Sequence, residues 1–471
     1  MRLSVPKTAT QQNSLLQHWP SAFLFGVVFA ASLFGIWSRP VGFLASVWPA
    51  NALMLVVLLR LPNARHWSGW TAGAAAFMAA DLLTGAELLK AAILNAANLV
   101  SVGAAYLVLA RQPTEMIRLR KPVSMLYVVL AATIGGGAAG ILGGIANIWI
   151  FQGKLLSGFV FWWITEVVNY VAILPIFLSA PSFRKLWRLL GSRAWFIRRD
   201  DLLPALAVAL SCGVALLVGG PGAIAFPILA LLWCGLVYPV FLTAILTLSC
   251  SLLALTFLSS GYLSGYTTGF DNFAVISIRL GTCVIAIAPI MLAIVMRNHN
   301  ELLARLRYIS THDSLTGIGN RAAFLDNAGR MLSEAPHPSA VMMIDVDHFK
   351  AINDTHGHAS GDEVLREIAR RIRACLRSTD QFGRMGGEEF AVFLGRCQPS
   401  TAQEIAERIR ASVAMRPVVI RGEIPVPVTV SVGLSFSDEA CGRCLDTLLI
   451  KADSALYAGK ERGRNRVEIA G

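Results

Sequence analysis

Arg384-Met385-Gly386-Gly387-Glu388-Glu389-Phe390 lies between two short runs that read as strands, Gln381 to Met385 and Phe390 to Leu394. Two glycines and two glutamates in that place are hairpin-turn chemistry. Glycine has no Cβ, so the backbone can turn through positive φ and a ligand can lie against it. Two adjacent carboxylates beside such a turn offer hard oxygen ligands for a divalent cation. Taken alone, the stretch reads first as an ordinary hairpin with a charged tip.

A second acidic cluster changes that reading. Val341-Met342-Met343-Ile344 is a short apolar run with the look of a buried strand, and it ends in Asp345-Val346-Asp347. His348-Phe349-Lys350-Ala351-Ile352-Asn353-Asp354 follows with helical spacing, opening at an acid. A carboxylate at a strand end, opposite a Gly-Gly-Glu-Glu hairpin, is how a sheet assembles a Mg²⁺–phosphate site. On these residues the chain resembles the GGDEF family, the diguanylate cyclases. The matching motifs are Asp345 to Lys350, Asn353-Asp354, Gly357-His358, Gly361-Asp362, Gly386 to Phe390, and Lys460 with Gly463-Arg464-Asn465. They occur in the family's order from about Thr311 to Val467.

Composition divides the chain. It has 471 residues, 55% of them hydrophobic, and a mean hydropathy of +0.59, too apolar for a wholly soluble protein. Residues 1–300 carry 19 Lys/Arg against 7 Asp/Glu, which is the whole formal +12, while residues 301–471 carry 22 of each sign. The basic excess belongs to the apolar half and is explained by loop topology. No stretch interleaves aromatic and basic residues as a nucleic-acid reader does, so no nucleic-acid partner is expected. Four of the eight cysteines (Cys212, Cys234, Cys250, Cys283) fall in apolar runs, and Cys441-Gly-Arg-Cys444 reads as two incidental thiols.

Residues 1–19 read as a polar cytoplasmic tail and 20–296 as a multi-span membrane sensor of eight to ten helices. Apolar segments fall at 21–38, 41–60, 67–85, 90–110, 122–149, 156–180, 202–219, 222–240, 242–260 and 274–296. Most are long enough to cross a ~30 Å hydrocarbon core. The 122–149 segment holds Gly135-Gly136-Gly137 and Gly143-Gly144, which implies either a break or close helix contact. No small-residue cleavage site follows the first segment, which reads as a retained helix. Basic loops alternate with poor ones. The richest carries Arg184, Lys185, Arg188, Arg193, Arg198 and Arg199, whereas 261–272 carries no Lys or Arg. The positive-inside rule then puts both termini in the cytoplasm, at a bacterial inner membrane. Asp81, Asn95, Asn98, Asn147, Glu166, Asn169 and Arg279 lie inside apolar runs. Such groups mark either a pocket or interhelical bonding, with Asp81 and Glu166 the better pocket candidates. Val47-Trp48-Pro49-Ala50-Asn51, Trp67-Ser-Gly-Trp70, Phe161-Trp162-Trp163 and Ala172-Ile-Leu-Pro175 loosely resemble the type-one membrane-associated sensor family. That resemblance implies sensing of an unnamed ligand.

Residues 297–312 read as a helical linker, in which Leu302, Leu303, Leu306 and Ile309 form a stripe suited to pairing with a second copy. Residues 313–471 form the output domain. It opens with Asp313-Ser314-Leu315-Thr316-Gly317-Ile318-Gly319-Asn320, a turn whose Asn320 caps the next helix. Strands are expected near 340–346, 381–385, 389–395, 426–436 and 465–469, and helices near 320–333, 348–356, 359–377, 401–415 and 445–461. Val428 to Phe436 alternates with a period of two. The expected fold class is a polytopic α-helical membrane domain followed by an α/β nucleotide-cyclase-like domain.

The family resemblance implies the chemistry. Two GTP become cyclic di-GMP and pyrophosphate, each domain holding one GTP, so that a homodimer is needed. The metal, Mg²⁺ with Mn²⁺ as an alternative, would be held by Asp345 and Glu388, with the Val346 carbonyl and Glu389 as further donors. Glu388 is also the candidate catalytic residue that helps deprotonate the 3′-hydroxyl. Phe349 and Lys350 amides at a helix start suit a phosphate. Lys460 and Arg464, read as one helical turn apart, suit the β/γ-phosphates. Asn353 and Asp362 carry over as guanine readers, with His358, Gly386 and Gly387 completing the substrate site. Arg377-Ser378-Thr379-Asp380 matches the family's RxxD product site, which Arg408 would complete. Other readings of the same residues are a silent GTP or cyclic di-GMP receptor, and a transporter regulated by its cytoplasmic domain.

Overall fold

The computed structural model describes residues 8–38, 47–182, 199–259, 272–334, 338–437 and 444–471. Arg39, the basic residues Arg184 to Arg198, the 261–271 loop and Cys441 lie outside them. The chain divides into two compact units, Met1–Glu301 and Leu302–Gly471. The division falls inside the helix Asn272–Thr311, within the expected linker.

Each of the ten apolar segments contains a helix: Thr8–Trp37, Ala50–Arg60, Trp67–Leu83, Leu88–Leu109, Ser124–Trp149, Leu155–Ser179, Arg199–Val218, Ile228–Val237, Val240–Ser259 and Asn272–Thr311. Five stretches among the described residues are long and apolar enough to cross a membrane: Trp19–Trp37, Leu88–Leu109, Ser124–Trp149, Leu155–Ser179 and Arg279–Thr311. Ala50–Arg60 has only 11 residues, short of the ~20 that a perpendicular crossing takes. Apart from Asn51 and Arg60 it is apolar, because protein surrounds it: Ala50, Ala52 and the run Met54 to Leu59 are buried in the unit's main core. The glycine-rich segment is one unbroken helix. Built Cβ atoms on Gly136, Gly140 and Gly143 would collide with Trp163, Phe159 and Trp162 of the next helix, so glycine is what lets the two backbones meet. Arg60 and Arg65 close helix ends. Arg60 donates to the Ala180 carbonyl at 2.6 Å, and Arg65 to those of Leu58 and Leu59 at 3.1 and 2.9 Å.

The second unit is built on a six-stranded mixed sheet. Its strands are β1 (Gly319–Asn320), β2 (Ala340–Val346), β3 (Gln381–Gly386), β4 (Glu389–Leu394), β7 (Val430–Phe436) and β8 (Val467–Ile469), in the order β1-β3-β4-β2-β7-β8. The short strands β5 (Val418–Ile420) and β6 (Ile424–Val426) form a separate hairpin. β2 is central and antiparallel to both neighbours. All seven of its residues are buried, so it shows no polar alternation. Ala340, Met342, Ile344 and Val346 face the core of the helices Phe349–His356, His358–Ala374 and Pro399–Ala414. Val341 and Met343 face Arg321–Glu334 and Leu445–Glu461.

β7 is also buried on both faces, although its sequence alternates. The alternation is one of size. Val430, Val432 and Leu434 enter one core, while Ser431, Gly433 and Ser435 form a thin face. Ser435 donates to the Leu448 carbonyl at 2.7 Å. A Cβ on Gly433 would collide with the Ala452 carbonyl and the Leu456 backbone. The helix Leu445–Glu461 therefore lies close on the sheet. Asn320 caps its helix as expected, accepting from Ala323 N at 2.9 Å. The helix Phe349–His356 is preceded by His348 in left-handed conformation (φ 56°), with no capping side chain from an acid.

Sequence patterning missed three strands. β1 has two residues. The β5–β6 hairpin is flanked by Pro417 and contains Pro425, which argue against a strand; its signal is Arg421-Gly422, both at positive φ. We expect Gly433→Ala to destabilise the second unit by about 3 kcal/mol, the upper range for overpacking, measured as a lower thermal midpoint. An unchanged midpoint would show that the helix can move off the sheet freely.

Candidate functional site

The sheet brings three carboxylates to one end. Asp345 is the sixth residue of β2 and pairs across the ladder with Glu389 of β4. Opposed residues of an antiparallel pair share a face. Glu388 sits one residue earlier, in the turn, and its carbonyl accepts from Val346 N at 3.4 Å. Asp345 is 5% exposed, whereas Glu388 and Glu389 are half-buried. Burial holds the Asp345 carboxyl above its ordinary value; Lys460 pulls against this, and the Glu388 and Glu389 charges add to it. Lys460, in the last turn of Leu445–Glu461, reaches Asp345 Oδ2 at 2.8 Å. The sequence suggested Lys460 as a phosphate ligand; its ion pair with Asp345 was not legible there.

The hairpin has the shape its glycines suggest. Gly386 has φ 155° and Gly387 φ 52°, and the ladder bulges between Arg384 and Gly386. Built Cβ atoms on either glycine would meet nothing within 4 Å, so backbone conformation, not crowding, requires glycine there. Arg384 fixes the turn. Its Nε and a terminal N donate to the Gly387 carbonyl at 2.9 and 2.6 Å, and its other terminal N reaches Asp313 Oδ1 at 3.1 Å. Asp313 also accepts from Thr316 N and Oγ1 at 2.9 and 2.7 Å. Burial would raise the Asp313 carboxyl, but these Thr316 bonds and Arg384 more than offset it and hold the group below its ordinary value. Sequence reading treated both residues only as motif members.

Asp347 was given no role either. It accepts from Thr429 Oγ1 and Ser431 Oγ at 2.7 Å each, and from Asn465 N at 3.0 Å. With its oxygens so used it ties β2 to β7 and to the 463–465 turn, whereas Asp345 at the same strand end has Lys460 as its ion-pair partner. Arg464 sits in that turn at φ 59°. The helix ends at Glu461, so Lys460 and Arg464 are not one helical turn apart as expected. Arg464 N bonds the Gly459 carbonyl at 3.1 Å, a closing turn that keeps the two residues at the same helix end.

Phe349 opens its helix and is buried, while Lys350 is exposed. Asn353 packs against the next helix: a Cβ on Gly361 would fall on Asn353 Oδ1. That oxygen is buried with no hydrogen-bond partner. Asp362 follows Gly361, half-buried, and His358 is exposed at the start of His358–Ala374. Among the described residues no three acidic, His or Cys side chains are gathered closely enough to hold a metal by themselves.

The family model described as "Diguanylate cyclase, GGDEF domain" matches residues 310–466. A relative in Escherichia coli K12, "Probable diguanylate cyclase DgcF", is 30% identical over 273 residues, 57% of this chain and 86% of the relative. The chain belongs to the GGDEF diguanylate cyclases. The protein of the same printed name in Escherichia coli O157:H7 is 27% identical over 461 residues, 97% of this chain and 95% of the relative. The crystal structure of the coiled coil and GGDEF domain of DgcB from Caulobacter crescentus in complex with c-di-GMP is 35% identical, covers 36% of this chain and 92% of that one, and has a TM-score of 0.35.

In this diguanylate cyclase the RxxD stretch is a turn held by its own acid. Asp380 is 6% exposed, and its Oδ2 accepts from Arg377 N at 2.7 Å. Arg408, from Pro399–Ala414, donates to the Cys375 carbonyl at 2.7 Å, which brings it to the same edge. In the first unit, Asp81, Asn95, Asn98 and Glu166 belong to one hydrogen-bonded set with Asn51, Ser101 and Tyr170. The other predicted polar residues stand apart. Asn169 accepts from Trp48 N at 3.1 Å, Asn147 closes a turn on the Lys154 carbonyl, and Arg279 bonds Thr165 and lies over the Phe161 ring.

Asp313→Asn should cost about 1.5 kcal/mol at neutral pH, the low end for bonds to a charged group. A depressed folded-state carboxyl contributes stability above its unfolded pKa and loses it as pH falls through the folded one. The stabilities of the two proteins should therefore converge toward acid in a urea series. A constant gap across that series would mean the charge plays no part.

Proposed function

We propose that this chain is a membrane-held diguanylate cyclase joining two GTP into cyclic di-GMP, under control of its N-terminal helices and of its own product. The observation that carries the reading is the buried Asp345 facing Glu389 beside an open Gly-Gly turn, with a lysine as its sole cationic partner among the described residues. The donor set is all hard oxygen. Mg²⁺ is usually held by one or two carboxylates plus substrate phosphates, not by a protein cage, which agrees with the absence of a tighter cluster. Asp345 and Glu388 would hold it, with the Val346 carbonyl and Glu389 in support; Mn²⁺ suits the same donors. When bound, the metal neutralises phosphate charge.

The remaining residues bind and orient. The Phe349 and Lys350 amides, Lys460 and Arg464 take phosphate oxygens, Lys460 turning from Asp345 to do so. Asn353 and Asp362 present an amide and a carboxylate to guanine, and Asn353 Oδ1 is the buried acceptor in need of a donor. His358 borders that site, and the Gly386–Gly387 backbone lies along the nucleotide. In this reading Glu388 also helps to deprotonate the 3′-hydroxyl. One GTP per domain requires a homodimer, and the exposed Leu302, Leu306 and Ile309 stripe supports one. The basic-loop pattern and five crossing-capable helices support an inner-membrane location with both termini cytoplasmic. The likeness to type-one membrane sensors supports a ligand-reading role for the helices.

Glu388→Gln keeps the shape and removes a charge. Synthesis should fall by ~10²-fold or more, since even outer partners of metal sites cost up to that much, with GTP binding changed only a few-fold. Near-normal cyclic di-GMP output by this variant would remove the metal role.

Product control is tested at Arg377, because loss of Asp380 would also break its own turn. Arg377→Ala should leave the initial rate little changed and weaken inhibition by added cyclic di-GMP about tenfold, the loss of one charged hydrogen bond. Superimposable inhibition curves would take the site out of this reading.

A further inference from the structure

The buried polar residues of the membrane unit form a row with a direction. Asn51 lies on Ala50–Arg60, Asp81 on Trp67–Leu83, Asn95, Asn98 and Ser101 on Leu88–Leu109, and Glu166 and Tyr170 on Leu155–Ser179. Asn51 is fully buried, Glu166 is 4% exposed and Asp81 6%. Asn51 Nδ2 donates to Glu166 Oε1 and Oε2 at 3.0 and 3.1 Å, and to Asn98 Oδ1 at 3.0 Å. Asn98 Nδ2 donates to Asn95 Oδ1 at 3.0 Å, and Asn95 Nδ2 to Asp81 Oδ2 at 2.8 Å. Ser101 Oγ lies 3.4 Å from Glu166 Oε2 and 3.0 Å from Tyr170 Oη.

From Asn51 the amides donate in sequence through Asn98 and Asn95 to Asp81, and Asn51 also donates to Glu166, so the row ends in a carboxylate on each side; Asn95 Nδ2 also contacts Met78 Sδ at 3.7 Å. No Lys, Arg or His bonds either acid among the described residues. Glu166 is met by Asn51 and Ser101, with Tyr170 on the other side of Ser101; the helix Ser124–Trp149 comes close to it at Gly136, and Arg279 bonds Thr165 instead. Asp81 is met by Asn95. Amides alone could fix the packing of these helices, whereas two acids add a charge cost. A second observation marks the same place. Asn51 Oδ1, at the branch of the row and with no exposure, has no hydrogen-bond partner.

An ionised carboxylate only accepts, and a protonated one also donates. With both acids ionised, the row holds in the sense described. With a proton on each, the same contacts form in the opposite sense once the amides turn over. Glu166 O–H and Asn98 Nδ2 then donate to Asn51 Oδ1, Asn95 Nδ2 to Asn98 Oδ1, and Asp81 O–H to Asn95 Oδ1. A single proton donated into the row at one end leaves a mismatch along it. The two ends are therefore coupled, and the contacts join four helices. We propose that Glu166 and Asp81 are a coupled proton-binding site and that protons are the stimulus the membrane unit reads. The second half rests on the reading of these helices as the cyclase's sensor.

The test uses the full chain in lipid vesicles. Infrared difference spectra across a pH series should show a protonated-carboxyl band that rises toward acid, is lost in Glu166→Gln and is altered in Asp81→Asn. Na⁺ added at constant ionic strength should leave the band in place. No titrating band, a band indifferent to both variants, or displacement of the band by Na⁺ would each overturn the proton site. If Glu166→Gln does not insert, the wild-type titration and Asp81→Asn still decide. Cyclic di-GMP synthesis is measured on the same vesicles. The wild-type rate should vary several-fold more with pH than that of Glu166→Gln. A titrating band with identical rate profiles would leave the site standing and overturn the stimulus, separately from any failure of the cyclase itself.

Discussion

Asp345 is a buried carboxylate that faces another carboxylate across the β2–β4 ladder, with a third beside it. Like charges so placed repel, and burial raises the cost of each. The arrangement persists because the fold over-determines it. β2 is central and buried on both faces, so its end cannot move away. The thin Ser431–Gly433–Ser435 face draws the helix Leu445–Glu461 onto the sheet, which brings Lys460 to Asp345. Asp347 absorbs three donors and fixes the turn that carries Arg464. Arg384 holds the Gly387 carbonyl from the far side and is itself held by Asp313. Together these contacts hold the acidic strand end in place, and in the proposed function a cation and phosphates would neutralise its charge.

Much of this was legible in the sequence, for physical reasons that differ by element. β2 and β4 are apolar runs ending at motif acids, and the helices carry regular spacing and a real cap at Asn320. β1 and the β5–β6 hairpin were not legible, because two residues carry no period and prolines mask the other pair. The alternation in β7 was read correctly as a strand, but it encodes a small and a large face instead of an exposed and a buried one. The acids Asp345, Glu388 and Glu389 were legible as a motif. Their partners were not: the Lys460–Asp345 pair, the Asp347 bonds and the Arg384–Asp313 tie are long-range contacts that no local spacing signals. The Lys460–Arg464 spacing misled because the helix stops between them. Asn353 Oδ1, buried and unpaired, is a feature that only coordinates expose.

The first unit follows the same division. Ten apolar segments correspond to ten helices, but apolarity alone did not separate a lipid-crossing helix from one enclosed by protein, as Ala50–Arg60 is. Asp81 and Glu166 stood out as costly residues. Asn51, which links them, was visible only as part of a motif. The Escherichia coli O157:H7 relative matches 97% of this chain, so the likeness extends over the helical unit as well as the cyclase domain.

The central claim is that Asp345 and its neighbours form an incomplete metal site that substrate phosphates finish. The most direct measurement is Mn²⁺ binding to the full chain by electron paramagnetic resonance, with and without a GTP analogue that cannot react. The account predicts weak binding to the protein alone and much tighter binding with the analogue, an enhancement lost in Asp345→Asn. Equally tight binding without nucleotide, or an enhancement unchanged in Asp345→Asn, would contradict it.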